Sequence, residues 1–261
     1  MKISFSKKVM ITGATSGIGN ANAKIFAKNG FNLIITGRRK EKLDELKKKL
    51  TNKYGIQIIS LCFDIRNQAE VKKAWKSLKP EWKQLDILIN NAGLAKGFQP
   101  IHEGNSDDWE VMIDTNVKGL LYITRLVSQE MVKNKKGHII NLCSSAGHEV
   151  YPNGNVYCAT KFAVDALTKS MRLDLYKFGI RVSQVSPGHV EETEFALVRF
   201  DGDENKAKIY EDFTPLKSKD VAEIIYFVGT RQKHINIQDI LVMGTQQASN
   251  NYIDRSGRLI N

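Results

Sequence analysis

The 261-residue sequence has little cysteine: Cys62, Cys143 and Cys158 are all it has, an odd number set far apart in apolar segments. That scarcity argues against a disulfide-stapled framework, and the spacing matches no metal-binding pattern. Buried thiols in a reducing compartment, and no metal, are the expectation. Long apolar runs are missing too. Lys2, Lys7 and Lys8 stand near the N-terminus, but no apolar stretch of signal-peptide length follows them. None reaches the ~20 residues of a membrane span, so a cytoplasmic protein with no membrane partner is expected. Internal repeats, low-complexity tracts and linkers are also absent, which leaves one domain over 1–261.

Charge is plentiful and of mainly one sign. Lysine and arginine number 39 against 28 acidic residues, a net charge of +11. Such a balance raises the question of nucleic acid, but its distribution answers it. Lys40, Lys42, Lys47, Lys48, Lys49 and Lys53 interleave with Glu41, Asp44 and Glu45 on the outward face of one amphipathic segment, as a solvated surface does. No nucleic-acid partner is expected. The surplus positive field instead favours a phosphorylated cofactor or a carboxylate substrate.

Short apolar runs alternate with longer amphipathic ones. Val9–Ile11, Leu33–Ile35, Ile56–Phe63, Ile87–Ile89, Ile139–Leu142, Val182–Val185 and Ile240–Met243 read as strands. Helices fill the gaps, among them Ile18–Lys28 and Lys40–Lys53, with the longest over Trp109–Lys133 and Val156–Phe178. Strands separated by helices require right-handed crossovers. The fold class is therefore α/β, a Rossmann-type doubly wound parallel sheet of seven strands with helices on both faces. The segment after the sixth strand, about 190–213, lies where an active-site lid would be.

Directly after the first strand comes Gly13-Ala14-Thr15-Ser16-Gly17-Ile18-Gly19. Glycines there permit a tight turn and a close backbone approach to a pyrophosphate. The helix that follows offers free amides and the positive end of its dipole. The second strand then decides between dinucleotides. An NAD site places a carboxylate at its end, for the adenosine ribose. Here the chain reads Thr36-Gly37-Arg38-Arg39 with no acid before Glu41, so the guanidiniums of Arg38 and Arg39 point to NADP and its 2′-phosphate.

Tyr157 and Lys161 sit four residues apart at the start of a long helix and share one face, and Ser144 stands thirteen residues before Tyr157 at the end of the fifth strand. A free tyrosine, with a pKa of about 10, exchanges protons poorly near neutrality, and a neighbouring ammonium lowers that value. A fall of roughly three units needs about 4 kcal/mol, which Lys161 and the positive charge of an oxidised nicotinamide would share. Tyr157 is then the acid/base, and Ser144 binds the substrate oxygen and steadies developing charge.

In this order the motifs resemble those of the classical short-chain dehydrogenases/reductases, from about residue 5 to residue 245. The matches are TGATSGIG at 12–19, Asp64, NNAG at 90–93, Asn116, Ser144, Tyr157, Lys161 and Pro187-Gly188. The resemblance implies a catalytic tetrad of Asn116, Ser144, Tyr157 and Lys161, with Asn116 holding a water that links Lys161 to solvent. It implies that Lys161 and Tyr157 meet the nicotinamide ribose, that Asp64 and Ile65 meet the adenine, and that Asn91, Ala92 and Gly93 line the cleft. Pro187 and Gly188 would also meet the cofactor, Val190 after them would contact the carboxamide, and Thr193 would lie near the phosphates. A homotetramer built through the two longest helices is implied as well. Thr193 stands six residues after Pro187, one beyond the commoner spacing, so a bulged turn is expected there. Glu191 and Glu192 are expected to face solvent.

Longer stretches, including 36–50, 80–97, 108–125, 153–164 and 193–225, resemble the NADP-dependent 3-hydroxy acid dehydrogenases that oxidise serine and L-allo-threonine. The implied small-molecule substrate is a 3-hydroxy acid or its 3-oxo form. Arg199, a cation inside the apolar run Phe195–Phe200, is the candidate for its carboxylate, with Ser144 and Tyr157 at its hydroxyl. The competing reading pairs Arg199 with Asp201 or Glu194. His148 and Tyr151 are expected to line the substrate pocket. Alternatives of the same mechanism are a 3-oxoacyl carrier-protein reductase or a broad carbonyl reductase. A catalytically silent NADP sensor is the alternative of another class.

Overall fold

Along Lys8–Ile11 (β1) the side chains alternate between two apolar clusters: Val9 and Ile11 enter one and Met10 the other. A strand buried on both faces needs a helical layer on each. The computed structural model, which describes residues 7–259, supplies both. In chain order the first half contains α1 (Gly17–Lys28), β2 (Asn32–Gly37), α2 (Lys40–Tyr54), β3 (Ile58–Cys62), α3 (Gln68–Ser77), α4 (Pro80–Lys83) and β4 (Ile87–Asn90). The second contains α5 (Ser106–Ile113), α6 (Leu120–Asn134), β5 (Gly137–Leu142), α7 (Asn155–Leu175), β6 (Ile180–Pro187), β7 (Val190–Glu191), α8 (Phe195–Arg199), β8 (Leu216–Lys217), α9 (Ser218–Gly229) and β9 (Asp239–Val242).

The seven expected strands form one sheet in the order β3-β2-β1-β4-β5-β6-β9, and every pairing is parallel. Helices α1, α2 and α9 cover one face through Phe26, Leu43, Leu46, Leu50, Val221 and Ile225. Helices α3 and α6 cover the other through Val71, Trp75, Ile123, Val127 and Met131, with Met171 and Leu175 of α7 packed against them. The order reverses between β1 and β4, where neighbouring crossovers leave to opposite faces. That opens a crevice at the carboxyl ends of the strands, where ligands bind in such sheets.

Three features depart from the expectations. The helix expected over Trp109–Lys133 is continuous but not uniform, because a π-helical turn at Asp114–Gly119 separates α5 from α6. Its cause is long-range: Asn116 takes both backbone groups of Leu94, accepting from the amide at 2.9 Å and donating to the carbonyl at 2.8 Å. Cys62 is exposed while Cys143 and Cys158 are buried, so the expectation of three buried thiols fails at one. Cys62 closes β3, the edge strand. The third departure is β7 and β8, two-residue strands that pair parallel at the root of the lid.

Candidate active site

Between β1 and α1 the backbone takes left-handed conformations at Gly13 (φ 67°) and Gly17 (φ 50°), where a side chain would be strained. A Cβ on Gly19 would lie 2.2 Å from the Gly13 carbonyl oxygen, so only glycine allows this close packing. Ser16 caps α1 without a side-chain hydrogen bond, and no acid stands in the first turn. The first amides of α1 therefore face the crevice unclaimed, as an anion requires. Thr12 Oγ1 accepts from the amides of Asn91 (3.0 Å) and Ala92 (2.9 Å), and Asn91 Nδ2 donates to the Thr12 carbonyl at 2.8 Å. These bonds lock the end of β1 to the segment after β4.

At the end of β2, Arg38 is exposed and Arg39 half-buried. Arg39 lies across the phosphate loop, donating to Thr15 Oγ1 at 2.8 Å and Ser16 Oγ at 3.1 Å. Free amides at a helix start beside two guanidiniums fit a dinucleotide carrying a 2′-phosphate. Asp64 and Ile65 border the same crevice. Arg66 grips the Asp64 carboxylate at 2.6 Å; burial pushes its pKa up, but the bonds and charge of Arg66 outweigh that and hold it below the usual value.

One cavity of about 600 Å³ brings these residues together with Ser144, Tyr157, Lys161, Pro187, Gly188, Val190, Thr193 and Arg199. Gly13, Thr15–Gly19 and Asn91–Gly93 form its floor. Of the expected site residues, Ala14 and Asn116 are buried behind this wall rather than on it. Asn116 also donates to Thr160 Oγ1 at 3.0 Å. A Cβ placed on Gly93 would meet Asn116 Oδ1 at 3.3 Å and Lys161 Nζ at 3.7 Å, so both atoms flank that glycine.

Tyr157 and Lys161 share the inner face of α7. Lys161 Nζ lies 5.9 Å from the Tyr157 ring centre and donates to the Leu142 carbonyl at 3.0 Å. Burial lowers the Lys161 pKa. Burial also raises that of Tyr157, aided by Tyr151 and opposed by the Ser144 hydroxyl and the Arg199 charge. The expected lowering of Tyr157 by Lys161 is not present in the protein alone. The ammonium is held by Leu142, and desolvation of the phenol dominates.

The lid roofs this centre. Phe195 packs on Tyr157 with ring centres 5.5 Å apart, and the Arg199 guanidinium stands 4.7 Å from the Phe98 ring centre, 5.4 Å from that of Tyr151 and 5.7 Å from that of Tyr157. Arg199 is buried, at 6% exposure. Its Nε donates to the Gly97 carbonyl at 3.2 Å and its Nη1 to Tyr151 Oη at 2.9 Å. The competing reading of an ion pair does not hold. Asp201 pairs with Lys96, and Glu194 with Arg39 and Lys42. Among the described residues no carboxylate pairs with Arg199.

In the turn after Pro187, where a bulge is expected, Glu192 takes a left-handed conformation at φ 58°. Glu192 faces solvent as expected, but Glu191 is largely covered and pairs with Arg258 of the C-terminal tail. Of the two residues expected in the substrate pocket, Tyr151 lines it and His148 does not. The His148 ring turns away to Ser186 Oγ at 3.0 Å and Asp239 at 3.6 Å. Phe98, His189, Tyr210, Asn250, Ile253 and Arg255 line the cavity without having been expected. Tyr210 lies in the segment expected as a lid, whereas the tail that supplies Asn250, Ile253 and Arg255 carries no periodic pattern.

Residues 7–203 match the family model for short chain dehydrogenases. The chain belongs to that family. The NADP-dependent 3-hydroxy acid dehydrogenase YdfG of Salmonella typhi is 44% identical over 241 residues, covering 92% of this chain and 96% of that protein. Sulfoacetaldehyde reductase 2 of Chromohalobacter salexigens is 42% identical over 242 residues, covering 92% and 95%. Among solved structures, the closed form of a serine dehydrogenase complexed with NADP+ superposes with a TM-score of 0.88 at 44% identity, covering 92% of this chain and 96% of that one. This short-chain dehydrogenase is thus an oxidoreductase that acts on CH–OH groups with NADP as its cofactor. Among the described residues no helix is long and apolar enough to cross a membrane.

Proposed function

We infer that the enzyme oxidises the 3-hydroxyl of a small 3-hydroxy acid of the serine, L-allo-threonine or 3-hydroxypropionate type, or reduces the corresponding 3-oxo acid. The observation that carries this reading is Arg199, a buried guanidinium over the Tyr157 ring with no carboxylate partner among the described residues. A buried cation in a substrate cavity calls for an anion from the ligand. Arg199 and the Tyr151 hydroxyl bind the substrate carboxylate, which places the 3-hydroxyl towards Tyr157 and Ser144.

Ser144 holds the alcohol or carbonyl oxygen, and Tyr157 Oη takes or gives its proton. NADP, when bound, supplies the hydride acceptor or donor, and its oxidised ring adds a positive charge near Tyr157. Free amides at the start of α1 would hold the pyrophosphate, and Arg38 and Arg39 would hold the 2′-phosphate. Lys161 positions the ribose, and with Asn116 it carries protons onward from Tyr157. Asp64 and Ile65 would border the adenine, Asn91–Gly93 the cleft, Pro187, Gly188 and Val190 the nicotinamide end, and Thr193 the phosphates. In the cell the enzyme works as a cytoplasmic homotetramer.

A sulfonate would satisfy the same guanidinium, as the name of the Chromohalobacter relative suggests. The test is a cofactor-coupled absorbance screen with both NAD and NADP over serine, L-allo-threonine, 3-hydroxypropionate, sulfoacetaldehyde and a thioester-linked 3-oxo chain. Turnover of the free 3-hydroxy acids with NADP supports the reading. Turnover of the thioester alone would place the enzyme with the carrier-protein reductases, and cofactor binding without any turnover would make it a sensor.

A further inference from the structure

Glu194 stands where the lid begins, one residue before α8, and its carboxylate reaches back over the phosphate loop. It meets Arg39 Nη1 at 2.8 Å and Lys42 Nζ at 3.0 Å. The same Arg39 guanidinium donates to Thr15 and Ser16, so one cation joins the loop, α2 and the lid. Thr193, beside Glu194, closes the contact from above: a Cβ on Gly17 would come within 3.1 Å of Thr193 Cγ2. Burial pushes the Glu194 pKa up, but its bonds to Lys42 and Arg39 outweigh that and hold it below the usual value. The group is therefore an anion at neutral pH. It sits on a cation assigned above to the 2′-phosphate, five residues before Arg199.

We propose that Glu194 is a specificity-determining residue that competes with the 2′-phosphate of NADP for Arg39 and Lys42, and so sets how strongly the enzyme prefers NADP to NAD. This rests on the placement of that phosphate at Arg38 and Arg39. Arg38, Arg39 and Glu194 line the cavity at this subsite, Lys42 reaches it through Glu194, and Asp64, held by Arg66, is a second anion near Arg38. Neutralising Glu194 frees two of the cations for the phosphate; because the carboxylate also meets Ser16 of the phosphate loop, a nucleotide without the 2′-phosphate serves as the control. Since both pairs are half-exposed, at 37–47% of their side-chain surface, the gain is moderate and screened by salt.

The test separates the phosphate from the rest of the cofactor. Dissociation constants of adenosine 2′,5′-bisphosphate and of AMP are measured by isothermal titration calorimetry on the wild-type enzyme, Glu194→Gln and Arg39→Leu. The proposal expects Glu194→Gln to tighten the bisphosphate by roughly two- to tenfold, to leave AMP unchanged, and to lose that gain as salt is raised. Arg39→Leu is expected to weaken the bisphosphate and spare AMP. Weaker bisphosphate binding by Glu194→Gln would mean that the carboxylate orients Arg39 instead of competing for it, and would overturn the proposal. So would an equal change for both nucleotides. An unchanged preference in Arg39→Leu shows that the phosphate lies elsewhere; a lost preference there, with Glu194→Gln silent, defeats the competition alone.

Discussion

Replacing Arg199 with leucine separates its two tasks, anchoring the substrate and pinning the lid. The guanidinium is 6% exposed, so the carboxylate it meets is largely desolvated. Truncating one partner of such a hydrogen-bonded charge pair costs about 2–5 kcal/mol. At ~1.4 kcal/mol per tenfold, kcat/KM for 3-hydroxypropionate falls by roughly 30-fold to several thousandfold. The lid task is smaller: one hydrogen bond to the Gly97 carbonyl and the stacking on Phe98 are together worth about 1–2 kcal/mol. Leucine refills much of the apolar volume between Phe98 and Tyr151, and lid loosening weighs equally on any substrate. Steady-state kinetics on 3-hydroxypropionate and on 1,3-propanediol therefore resolve the two tasks, because the diol has a hydroxyl where the acid has its charge. The expected outcome is a large loss for the acid, mostly in KM, and no more than about a tenfold to thirtyfold loss for the diol. Equal losses for both would refute a carboxylate anchor.

Because burial raises the Tyr157 pKa, the phenol stays protonated at neutrality, which suits reduction. Oxidation needs the ionised form, so its kcat/KM climbs with pH well into the alkaline range while that of reduction does not; parallel profiles would contradict this. Burial, aided by the Arg181 charge, holds the His138 pKa at about 3, below the ordinary imidazole value of 6.5. A depressed pKa gives stability that is complete above 6.5 and is lost as pH falls through the window towards 3, at up to ~1.4 kcal/mol per unit. Denaturant titrations across that window should show a shallower fall for His138→Gln than for the wild type. Asn22, fully buried in α1, has neither amide atom hydrogen-bonded. Asn22→Ala removes both unpaired groups without overpacking the site and has better helix propensity, and should stabilise the protein by about 1 kcal/mol in denaturant unfolding.

The parts of the molecule legible in the sequence are those whose cause is local. The alternation of Val9, Met10 and Ile11, the glycine turn between β1 and α1, and the four-residue spacing of Tyr157 and Lys161 each place atoms through short-range geometry. Arg38 and Arg39 are legible for the same reason, as they directly follow β2. What stayed hidden depends on partners far along the chain. Asn116 makes a π-turn because Leu94 supplies its hydrogen bonds, and Glu191 is covered because Arg258 returns to it. His148 leaves the pocket because Ser186 and Asp239, on β6 and β9, hold its ring. Lys161 is four residues from Tyr157, yet its ammonium goes to Leu142 at the end of β5, which sequence spacing does not reveal.

The central claim is that Tyr157 exchanges the proton of a 3-hydroxy acid in an NADP-dependent site. Its most direct test is Tyr157→Phe, which deletes one oxygen and leaves the ring packed against Phe195. Initial rates of NADPH formation from serine and the dissociation constant of NADP+ are measured on the same preparations. A loss of at least ~100-fold in kcat is expected, the scale of a general acid–base group, with NADP+ binding changed little. A variant that keeps wild-type turnover of serine would contradict it.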